Sequence, residues 1–397
     1  MVTLEELQVR TLGECKFESP LADYVANRAT NKYYVAEDDR VLIDDTISLL
    51  RARGDVSLDE IPSFEPGGAR QKLFFDPKNV KVGIVTCGGL CPGLNDVIRA
   101  LVLELNEHYG VTDVTGFRNG YAGLIPGKSP DPISLTPAVV DTITDRGGTF
   151  LGSSRGGQSV PQMVDTLVHR EINILFVIGG DGSMRGAHEI AEEALSRGLE
   201  IAVVGVPKTI DNDIPLIGTS FGFQTSYAKA AESIKGARVE AEAAMGGVGI
   251  VKVMGRSAGF IACYSALANH DADFVLIPEV PFSLDGEGGL IASVRRTVAE
   301  RGSAVIVLAE GAGQELVPAS DRTDASGNPR LGDFAGHRRA QIARDFADHN
   351  QVLNLRSFDP GYTIRSVPAD AADSVYCTRL AQAAVHAAMA GRTDMVI

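Results

Sequence analysis

From Lys81 onwards the chain alternates between two kinds of segment. Short runs of β-branched and aliphatic residues end in clusters of Gly or Pro, and longer stretches with helical spacing follow them. The apolar runs are continuous and do not alternate with polar residues, which is typical of strands buried on both faces of a parallel sheet. The strands predicted in this way are Val82–Cys87, Ile172–Ile178, Ile201–Val206, Val248–Val253, Phe274–Ile277 and Ala304–Leu308.

Helices are predicted between these strands. They are Asn95–Glu107, Ala187–Arg197, Ser226–Ala244, Ala258–Asn269 and Gly288–Arg301. Alternating strands and helices indicate an α/β fold with mostly parallel sheets. Ligands bind such sheets at the carboxyl ends of the strands. We therefore expect the functional site in the Gly-rich segments that follow the strands.

Residues 1–75 show a different pattern, with many charges and only short apolar runs, and residues 63–77 are rich in turn-forming residues. The turn-rich stretch is typical of a linker. We interpret residues 1–75 as an N-terminal extension that packs onto the main body or onto a partner subunit. A partly ordered tail is the alternative.

Composition narrows the functional classes. The 397 residues suit two domains, and 44% hydrophobic content excludes wholesale disorder. The 37 Lys and Arg against 51 Asp and Glu give a net charge of −14, which argues against nucleic acids and anionic membranes as partners. The sequence has neither a signal peptide nor an apolar run of ~18 residues, and its five scattered cysteines favour a reducing, cytoplasmic environment.

Two Gly-rich motifs each join a predicted strand to a helix. In Thr86–Asn95, Gly88 and Gly89 let the backbone approach a ligand, and a helix N-terminus can bind an anion. In Ile178–Ser183, Asp181 stands among glycines, which suits a carboxylate that holds Mg²⁺ bridging phosphate oxygens. A tight structural turn is the alternative for the first motif, and an Asp N-cap for the second.

A third motif, Pro207–Asp213, places Asp211 and Asp213 two residues apart after a strand, beside Lys208 and Thr209. Two carboxylates there suit a general base and a charge that orients metal or water, while a capping turn is the alternative. Four arginines in Gly-rich or otherwise unusual contexts form a fourth candidate set, because bidentate Arg suits phosphate recognition. They are Arg155, Arg256, Arg356 and Arg365.

Several common motifs are absent from the sequence. It contains neither the GxGxxG of dinucleotide sites nor the GxxxxGK[ST] of P-loop enzymes. None of the seven His lies in the four motifs, which argues against Ser-His and His-metal chemistry.

Together the motifs resemble those of the phosphofructokinase family, in the family's order. The matching segments are Gly88–Asn95, Gly148–Arg155, Gly179–Ser183, Thr209–Asp213, Met254–Arg256, Pro278 with Glu279, and Arg356 with Arg365. The long N-terminal extension and the late runs from Tyr362 and from Asp373 are similar to the plant-type, ATP-dependent subgroup, often called group X.

The resemblance implies an α/β fold with two Rossmann-like domains plus the extension. The expected divisions are an N-terminal extension at 1–75, a nucleotide-binding domain at 76–222, a fructose 6-phosphate-binding domain at 223–360 and a segment at 361–397 that returns to the first domain. We expect Asp285–Gly289 and Asp321–Arg330 to be plain linkers, with regulatory loops as the alternative.

The resemblance also implies residue roles. Asp211 would be the general base for the sugar 1-hydroxyl, Asp181 would bind Mg²⁺, and Arg155 would stabilise the transferring phosphoryl group. The implied ATP-binding residues are Gly88, Arg155, Gly156, Gly180, Asp181, Gly182 and Ser183. The implied fructose 6-phosphate-binding residues are Thr209, Ile210, Asp211, Met254, Gly255, Arg256, Glu310, Arg356, Tyr362 and Arg365, of which Arg356 would reach a neighbouring subunit.

Gly182 and Lys208 bear on the phosphoryl donor. Pyrophosphate users of the family typically carry Asp and Lys at these positions, and short bacterial ATP users carry Gly at both. The mixture of Gly182 with Lys208 is typical of the plant-type ATP enzymes. Because a carboxylate at 182 would repel the nucleotide α-phosphate, its absence favours ATP as the donor.

The implied activity is the Mg²⁺-dependent phosphorylation of fructose 6-phosphate by ATP to fructose 1,6-bisphosphate and ADP, the committed step of glycolysis, in a cytoplasmic and allosteric homodimer or homotetramer. A pyrophosphate-dependent enzyme and a silent sugar-phosphate-binding subunit are the alternatives. Two departures stand out. Gly247 replaces an Arg that clamps the sugar phosphate in the short bacterial type, and the family continues beyond the position of Ile397, so we expect a missing or a short C-terminus.

Overall fold

The computed structural model describes residues 3, 5–22, 34–54, 56–57, 60–317, 323, 330–332 and 334–397. The predicted linker Asp321–Arg330 lies almost wholly outside these residues, as do parts of the N-terminal extension. No helix in the described part of the chain is both long and apolar enough to cross a membrane.

The strands of the described residues are numbered in chain order. They are β1 Arg10–Thr11, β2 Phe17–Glu18, β3 Val41–Leu42, β4 Ser63–Phe64, β5 Lys72–Leu73, β6 Val82–Thr86, β7 Val114–Gly116, β8 Ile133–Ser134, β9 Ile174–Gly179, β10 Ala202–Pro207, β11 Gly247–Val253, β12 Phe274–Leu276, β13 Ser303–Ala309, β14 Asn354–Phe358, β15 Arg392–Thr393 and β16 Met395–Val396.

The α-helices of the same residues are numbered likewise. They are α1 Ile47–Ala52, α2 Leu94–Leu103, α3 Pro137–Val140, α4 Val160–His169, α5 Asp181–Ser196, α6 Phe223–Glu242, α7 Phe260–Asn269, α8 Leu290–Arg301, α9 Phe334–Asp348, α10 Gly361–Ile364 and α11 Ala371–Met389. A π-helical turn, Glu104–His108, continues α2.

The first of two units contains the described residues up to Gly89, Leu94–Lys208 and Ser374–Ile397. Its sheet has the order β16-β10-β9-β6-β7-β8, with all pairs parallel except β7 with β8. Strands β9 and β10 are buried at every residue, because they lie centrally with helices on the faces. The core at β9 and β6 is mostly aliphatic, and Phe117 and Phe176 are among its largest fully buried side chains.

The second unit contains Leu90–Gly93 and Thr209–Asp373. Its sheet has the order β12-β13-β11-β14, and all three strand pairs are parallel. Strand β13 is buried throughout, whereas the edge strand β14 has a single buried residue, Leu355. The parallel order places the residues that follow β13, β11 and β14 at one edge of this sheet.

The α/β fold with mostly parallel sheets is confirmed, and each predicted strand has an observed counterpart. Helix α5 starts at Asp181, not at Ala187, because Gly180 is its N-cap and Gly182 lies in its first turn. Helix α2 ends at Leu103 and continues as the π-turn. Helices α4, α9 and α11 were not predicted.

The observed unit boundaries differ from the expected divisions after residues 222 and 360. The chain changes units after Lys208 and again after Asp373. Hydrogen bonds explain both positions: Ser220 Oγ donates to the Thr209 carbonyl at 2.7 Å, and Asp373 accepts from the Gly222 amide at 2.9 Å. Both segments are therefore tied into the second unit.

The described part of the N-terminal extension belongs to the first unit. Strand β1 pairs with β15 near the C-terminus, and β2 pairs with β5. Two nearly buried arginines share Glu65: Arg70 lies 2.6 Å and Arg392 2.8 Å from Glu65 Oε1. Because an unpaired buried charge is costly, these bridges tie residues 65–70 to the C-terminal segment.

Candidate functional site

Three strand ends of the first unit meet where the sequence placed the phosphate motifs. Strands β10, β9 and β6 are neighbours, so the segments after them, at Lys208, Gly180 and Gly88, lie side by side. Gly88 has φ +81°, and a β-carbon there would lie 3.6 Å from Lys208 Nζ and 3.9 Å from Ser183 Oγ. The structure thus brings Gly88, Ser183 and Lys208 together.

Lys208 is a nearly buried cation in this cluster, with 7% of its surface exposed. Its ammonium group donates to the Gly89 carbonyl at 2.5 Å, and its amide donates to the Gly179 carbonyl at 2.8 Å. A cation held beside glycine backbone can bind a phosphate oxygen that approaches the same surface.

The N-terminus of α5 forms the other wall of the cluster. Gly180 is its N-cap and Asp181 its first residue. Tyr121 holds the first turn by donating its hydroxyl to the Ser183 carbonyl at 2.5 Å. A side chain at Gly179 would lie 2.4 Å from the Ser183 β-carbon, so this close approach of strand and helix requires glycine.

Space is open at the remaining residues expected to bind the donor. Within the described part of the chain, a β-carbon at Gly182 would meet no atom within 4 Å, and the same is true at Gly156, whose φ is +92°. Gly182, Gly156 and Arg155 are all exposed. The structure therefore leaves room for a ligand at positions 156 and 182.

Asp181 is the carboxylate of this segment that suits a magnesium ion. It is an exposed carboxylate at a helix N-terminus, beside the buried Ser183. Mg²⁺ usually keeps several waters and takes one or two carboxylates together with substrate phosphates. One exposed carboxylate beside an anion-binding helix end fits that donor set.

In the second unit, Thr209–Asp213 folds into a turn held by its own side chains. Thr209 Oγ1 donates to Asp213 Oδ1 at 2.6 Å and accepts from the Asp211 amide at 3.2 Å. Asn212 has φ +58°, and its Oδ1 accepts from the Ser220 amide at 2.7 Å. The turn fixes the direction of the Asp211 side chain.

Asp211 has one partnered and one unpartnered carboxylate oxygen. Oδ2 accepts the Arg256 amide at 3.3 Å, and Oδ1 is buried with no hydrogen-bond partner among the residues that the structure describes. The pKa of Asp211 is raised to about 7, chiefly by burial; the charges of Asp213 and Glu310 contribute to this increase, and the amide and charge of Arg256 oppose it. A buried carboxylate with a pKa near neutrality and a free oxygen is suited to accept a proton.

The Met254–Arg256 turn packs against the residues after β13. The Gly311 amide donates to the Gly255 carbonyl at 3.0 Å, and a β-carbon at Gly255, with φ +123°, would lie 2.4 Å from the Ala258 carbonyl oxygen. Burial raises the pKa of Glu310, while Lys252, Arg256 and Arg365 lower it. These three cations therefore lie within electrostatic range of the Glu310 carboxylate.

Helix α10 contains Tyr362, and its C-cap is Arg365, two further expected residues. The Arg365 guanidinium lies 4.5 Å from the centre of the Tyr362 ring, and this ring is 75% exposed. Arg356 does not join them: it lies exposed in the middle of the edge strand β14, opposite Gly249, before the carboxyl end of the strand. Ile210 is buried behind the turn, and Met254 is half-buried.

Sequence reasoning missed Lys252, Asp359 and Asp373. Lys252 Nζ lies 2.7 Å from Asp359 Oδ2. The buried Asp373 accepts from the Gly222 amide, the Thr225 amide and the Thr225 hydroxyl at 2.9, 2.7 and 2.6 Å. Lys252 could have been noticed as a lysine inside the apolar run Val248–Val253. The contacts of Asp359 and Asp373 depend on long-range packing, which the sequence does not show.

A His-containing cluster lies apart from the four motifs. His188, Glu192 and Asp394 bring one potential ligand atom each within 4.8 Å of one another. The Arg10 guanidinium contacts Glu192 and lies 3.2 Å from Asp394 Oδ2. Since this cation already balances the carboxylates, we assign no metal to the cluster.

Comparison with known proteins identifies the family. The phosphofructokinase family model matches residues 81–388, and the chain belongs to the phosphofructokinase family. It is 53% identical over 401 residues to the ATP-dependent 6-phosphofructokinase of Amycolatopsis methanolica, covering 99% of this chain and 87% of that protein. It is 47% identical over 380 residues to ATP-dependent 6-phosphofructokinase 7 of Arabidopsis thaliana, covering 95% and 76%.

Two solved structures support the fold. A pyrophosphate-dependent phosphofructokinase from Marinobacter aquaeolei matches with a TM-score of 0.65 and 23% identity over 79% of this chain and 77% of that chain. Pichia pastoris phosphofructokinase in the T-state matches with a TM-score of 0.62 and 24% identity over 84% and 34%. The resemblance inferred from the motifs is thereby confirmed at the level of family and fold.

Proposed function

We propose that the protein is an ATP-dependent 6-phosphofructokinase that transfers the γ-phosphoryl group of Mg-ATP to the 1-hydroxyl of fructose 6-phosphate. The products are fructose 1,6-bisphosphate and ADP. The observation that carries the proposal is the Asp211 carboxyl group, with its buried, unpartnered Oδ1 and a pKa raised to about 7.

Asp211 acts as the general base. Its unpartnered oxygen, Oδ1, accepts the proton of the sugar 1-hydroxyl. The hydroxyl oxygen attacks the γ-phosphorus at the same time, and ADP leaves. A base is most effective when its pKa lies near the working pH. The Arg256 amide at 3.3 Å from Oδ2 keeps the carboxylate oriented during this step.

Charged groups at the carboxyl edge of β13, β11 and β14 bind the acceptor. Arg256 and Arg365 supply positive charge for the 6-phosphate, and Glu310 accepts hydrogen bonds from sugar hydroxyls. Thr209, Ile210, Met254, Gly255 and Tyr362 shape the sugar pocket in this proposal. Arg356, exposed on its edge strand, contributes to the site of a neighbouring subunit.

The donor is bound by the first unit. The backbones of Gly88, Gly156, Gly180 and Gly182, together with Ser183, cradle the phosphates, and Arg155 and Lys208 neutralise their charge. Asp181 is the residue that would hold Mg²⁺, which screens the phosphate charge when bound.

Open space at Gly182 supports ATP over pyrophosphate as donor. No atom lies within 4 Å of a β-carbon at this position, so an α-phosphate can occupy the region that an Asp side chain would fill. The names of the Amycolatopsis methanolica and Arabidopsis thaliana relatives also support ATP. The buried Lys208, a residue of pyrophosphate users, supports the second candidate, a pyrophosphate-dependent enzyme.

A donor assay tests the proposal. Purified protein is given fructose 6-phosphate and Mg²⁺ with either ATP or pyrophosphate, and fructose 1,6-bisphosphate is measured. We expect product with ATP at least about tenfold faster than with pyrophosphate. Product formed only with pyrophosphate would favour a pyrophosphate-dependent enzyme. No product with either donor would favour a silent sugar-phosphate-binding subunit. A role in glycolysis, a cytoplasmic location, allosteric control and assembly as a homodimer or homotetramer belong to the same proposal.

A further inference from the structure

Lys252 is a charged residue in a strand that is otherwise apolar. Strand β11 reads Gly-Val-Gly-Ile-Val-Lys-Val, and the neighbours Val251 and Val253 are buried. The Lys252 side chain is 35% exposed, and its ammonium nitrogen lies 2.7 Å from Asp359 Oδ2. Packing within the sheet does not require a lysine at this position. We therefore ask what the positive charge of Lys252 does.

The register of the sheet places the two residues side by side. In the parallel pair of β11 and β14, Val251 lies opposite Phe358. Lys252 and Asp359 are the next residues along each strand, at the carboxyl edge. Asp359 is also the last residue before Pro360, the N-cap of α10, and its Oδ1 accepts the Gly361 amide at 3.3 Å. Asp359 thus links Lys252 to the segment that carries Tyr362 and Arg365.

The same edge holds the acceptor-side charges. Lys252, Arg256 and Arg365 all lower the pKa of Glu310, whereas Asp359 raises it. Both members of the pair therefore lie within electrostatic range of the Glu310 carboxylate. Without Lys252, Asp359 would lose the cation at 2.7 Å while staying within electrostatic range of the Glu310 carboxylate, so repulsion would disfavour the present position of Asp359 and of the turn attached to it.

We propose that Lys252 and Asp359 form a positioning pair that holds the Gly361–Ile364 helix so that Tyr362 and Arg365 are preorganised for the phosphomonoester of the acceptor. Neither residue is a catalytic group. Because the ordering is present before the acceptor binds, it lowers the entropy that binding must overcome. The identity of the acceptor rests on the function proposed above, whereas the positioning itself does not.

Two variants test the pair, Lys252→Met and Asp359→Asn, which remove one charge each and preserve much of the side-chain volume. We expect each to raise the KM for fructose 6-phosphate roughly tenfold, with kcat within about threefold and the KM for ATP unchanged. Lys252→Arg keeps the charge and should restore most of the affinity. The double variant should be no worse than either single one, because both remove the same interaction.

Lys229→Met is the matched control. Lys229 forms an exposed ion pair with Glu232 at 2.8 Å on α6 in the same unit. Its loss should leave both KM values unchanged, since exposed pairs contribute little. A fall in the KM for fructose 6-phosphate in Asp359→Asn would overturn the proposal, because it would mean that Lys252 binds the phosphate itself. The proposal would also be overturned if both single variants kept the wild-type KM values, or if the double variant lost affinity for fructose 6-phosphate by the sum of the two single losses.

A measurement without substrate separates this proposal from the proposed function. Hydrogen–deuterium exchange of the 361–366 amides is compared in wild type, Lys252→Met and Lys229→Met with no ligand present. We expect the 361–366 amides to exchange faster in Lys252→Met and not in Lys229→Met. The β13 amides should exchange at the same rate in all three proteins. Exchange equal to wild type contradicts the positioning role even if the enzyme is active. Faster exchange in a protein that does not phosphorylate fructose 6-phosphate supports the positioning role and contradicts the proposed function.

Discussion

Arg256 donates its backbone amide to Oδ2 of Asp211 at 3.3 Å, and the other oxygen of that carboxylate is buried with no hydrogen-bond partner. Burying half of a carboxylate unpaired is unfavourable for folding. The pKa of about 7 expresses this cost, because the protonated form avoids the buried charge. In the proposed function, this unfavourable arrangement is kept because it serves proton transfer.

The pH dependence of the rate follows from the same pKa. Only ionised Asp211 can accept a proton, so kcat/KM for fructose 6-phosphate should rise with pH up to about 7 and level off above it. The measurement is a steady-state profile from pH 5.5 to 9. The substrate phosphate also ionises near pH 6, so the residual activity of Asp211→Asn serves as control. A profile of Asp211→Asn with the wild-type slope would assign the slope to the substrate.

Stability should respond to pH in the opposite direction. The pKa of Asp211 is higher in the folded protein than the unfolded value of about 3.8, so the folded state binds the proton more tightly. The resulting stabilisation is complete below pH ~4 and is lost as the pH rises through about 7. We therefore expect Asp211→Asn to gain unfolding free energy relative to wild type at pH 8, by on the order of a few kcal/mol, and much less at pH 4. Urea unfolding at both pH values measures this; an equal difference at both would refute it.

Gly182→Asp should weaken the use of ATP. The added carboxylate would enter open space at the start of α5, so the fold should tolerate it, while like-charge repulsion should lower kcat/KM for ATP roughly tenfold or more. The ratio of pyrophosphate to ATP activity should rise. Gly236→Asp, on α6 and equally open, is the control and should leave both activities unchanged. Undiminished ATP activity in Gly182→Asp would remove the steric and electrostatic argument for the donor.

Asp373→Ala should destabilise the second unit. The substitution leaves the Gly222 amide, the Thr225 amide and the Thr225 hydroxyl without their acceptor at the buried start of α6. We expect a loss of about 3 kcal/mol of unfolding free energy. Asp44→Ala removes two hydrogen bonds to Thr46 in an exposed turn and should cost less than about 1 kcal/mol. Similar losses in the two variants, measured by urea unfolding, would contradict the role given to burial.

The sequence predicted most of the central strands because their apolar runs are continuous and end in turn residues. Strand β14 was missed because Asn354–Phe358 is an exposed edge strand with a single buried residue. Helix α11 was missed as a helix because its long Ala-rich stretch lacks a clear apolar stripe.

The motifs predicted functional segments after β6, β9 and β10, because ligands bind parallel sheets at the carboxyl ends of the strands. The meeting of Gly88, Ser183 and Lys208 depends on the order of these strands in the sheet, which the sequence did not predict. The sequence could not predict the contact of Lys252 with Asp359, which requires the register of β11 and β14. It also could not predict the unpartnered oxygen of Asp211, which depends on the fold of the Met254–Arg256 turn around it.

The decisive measurement for Asp211 as the general base is the turnover of Asp211→Asn with fructose 6-phosphate and Mg-ATP. Asn preserves the shape of the side chain and can still accept the Arg256 amide, but it cannot take up the hydroxyl proton. We predict that kcat falls by about 10²–10⁴-fold, while the KM values for both substrates change by less than about threefold. A variant that folds and keeps the wild-type kcat would show that Asp211 is not the base.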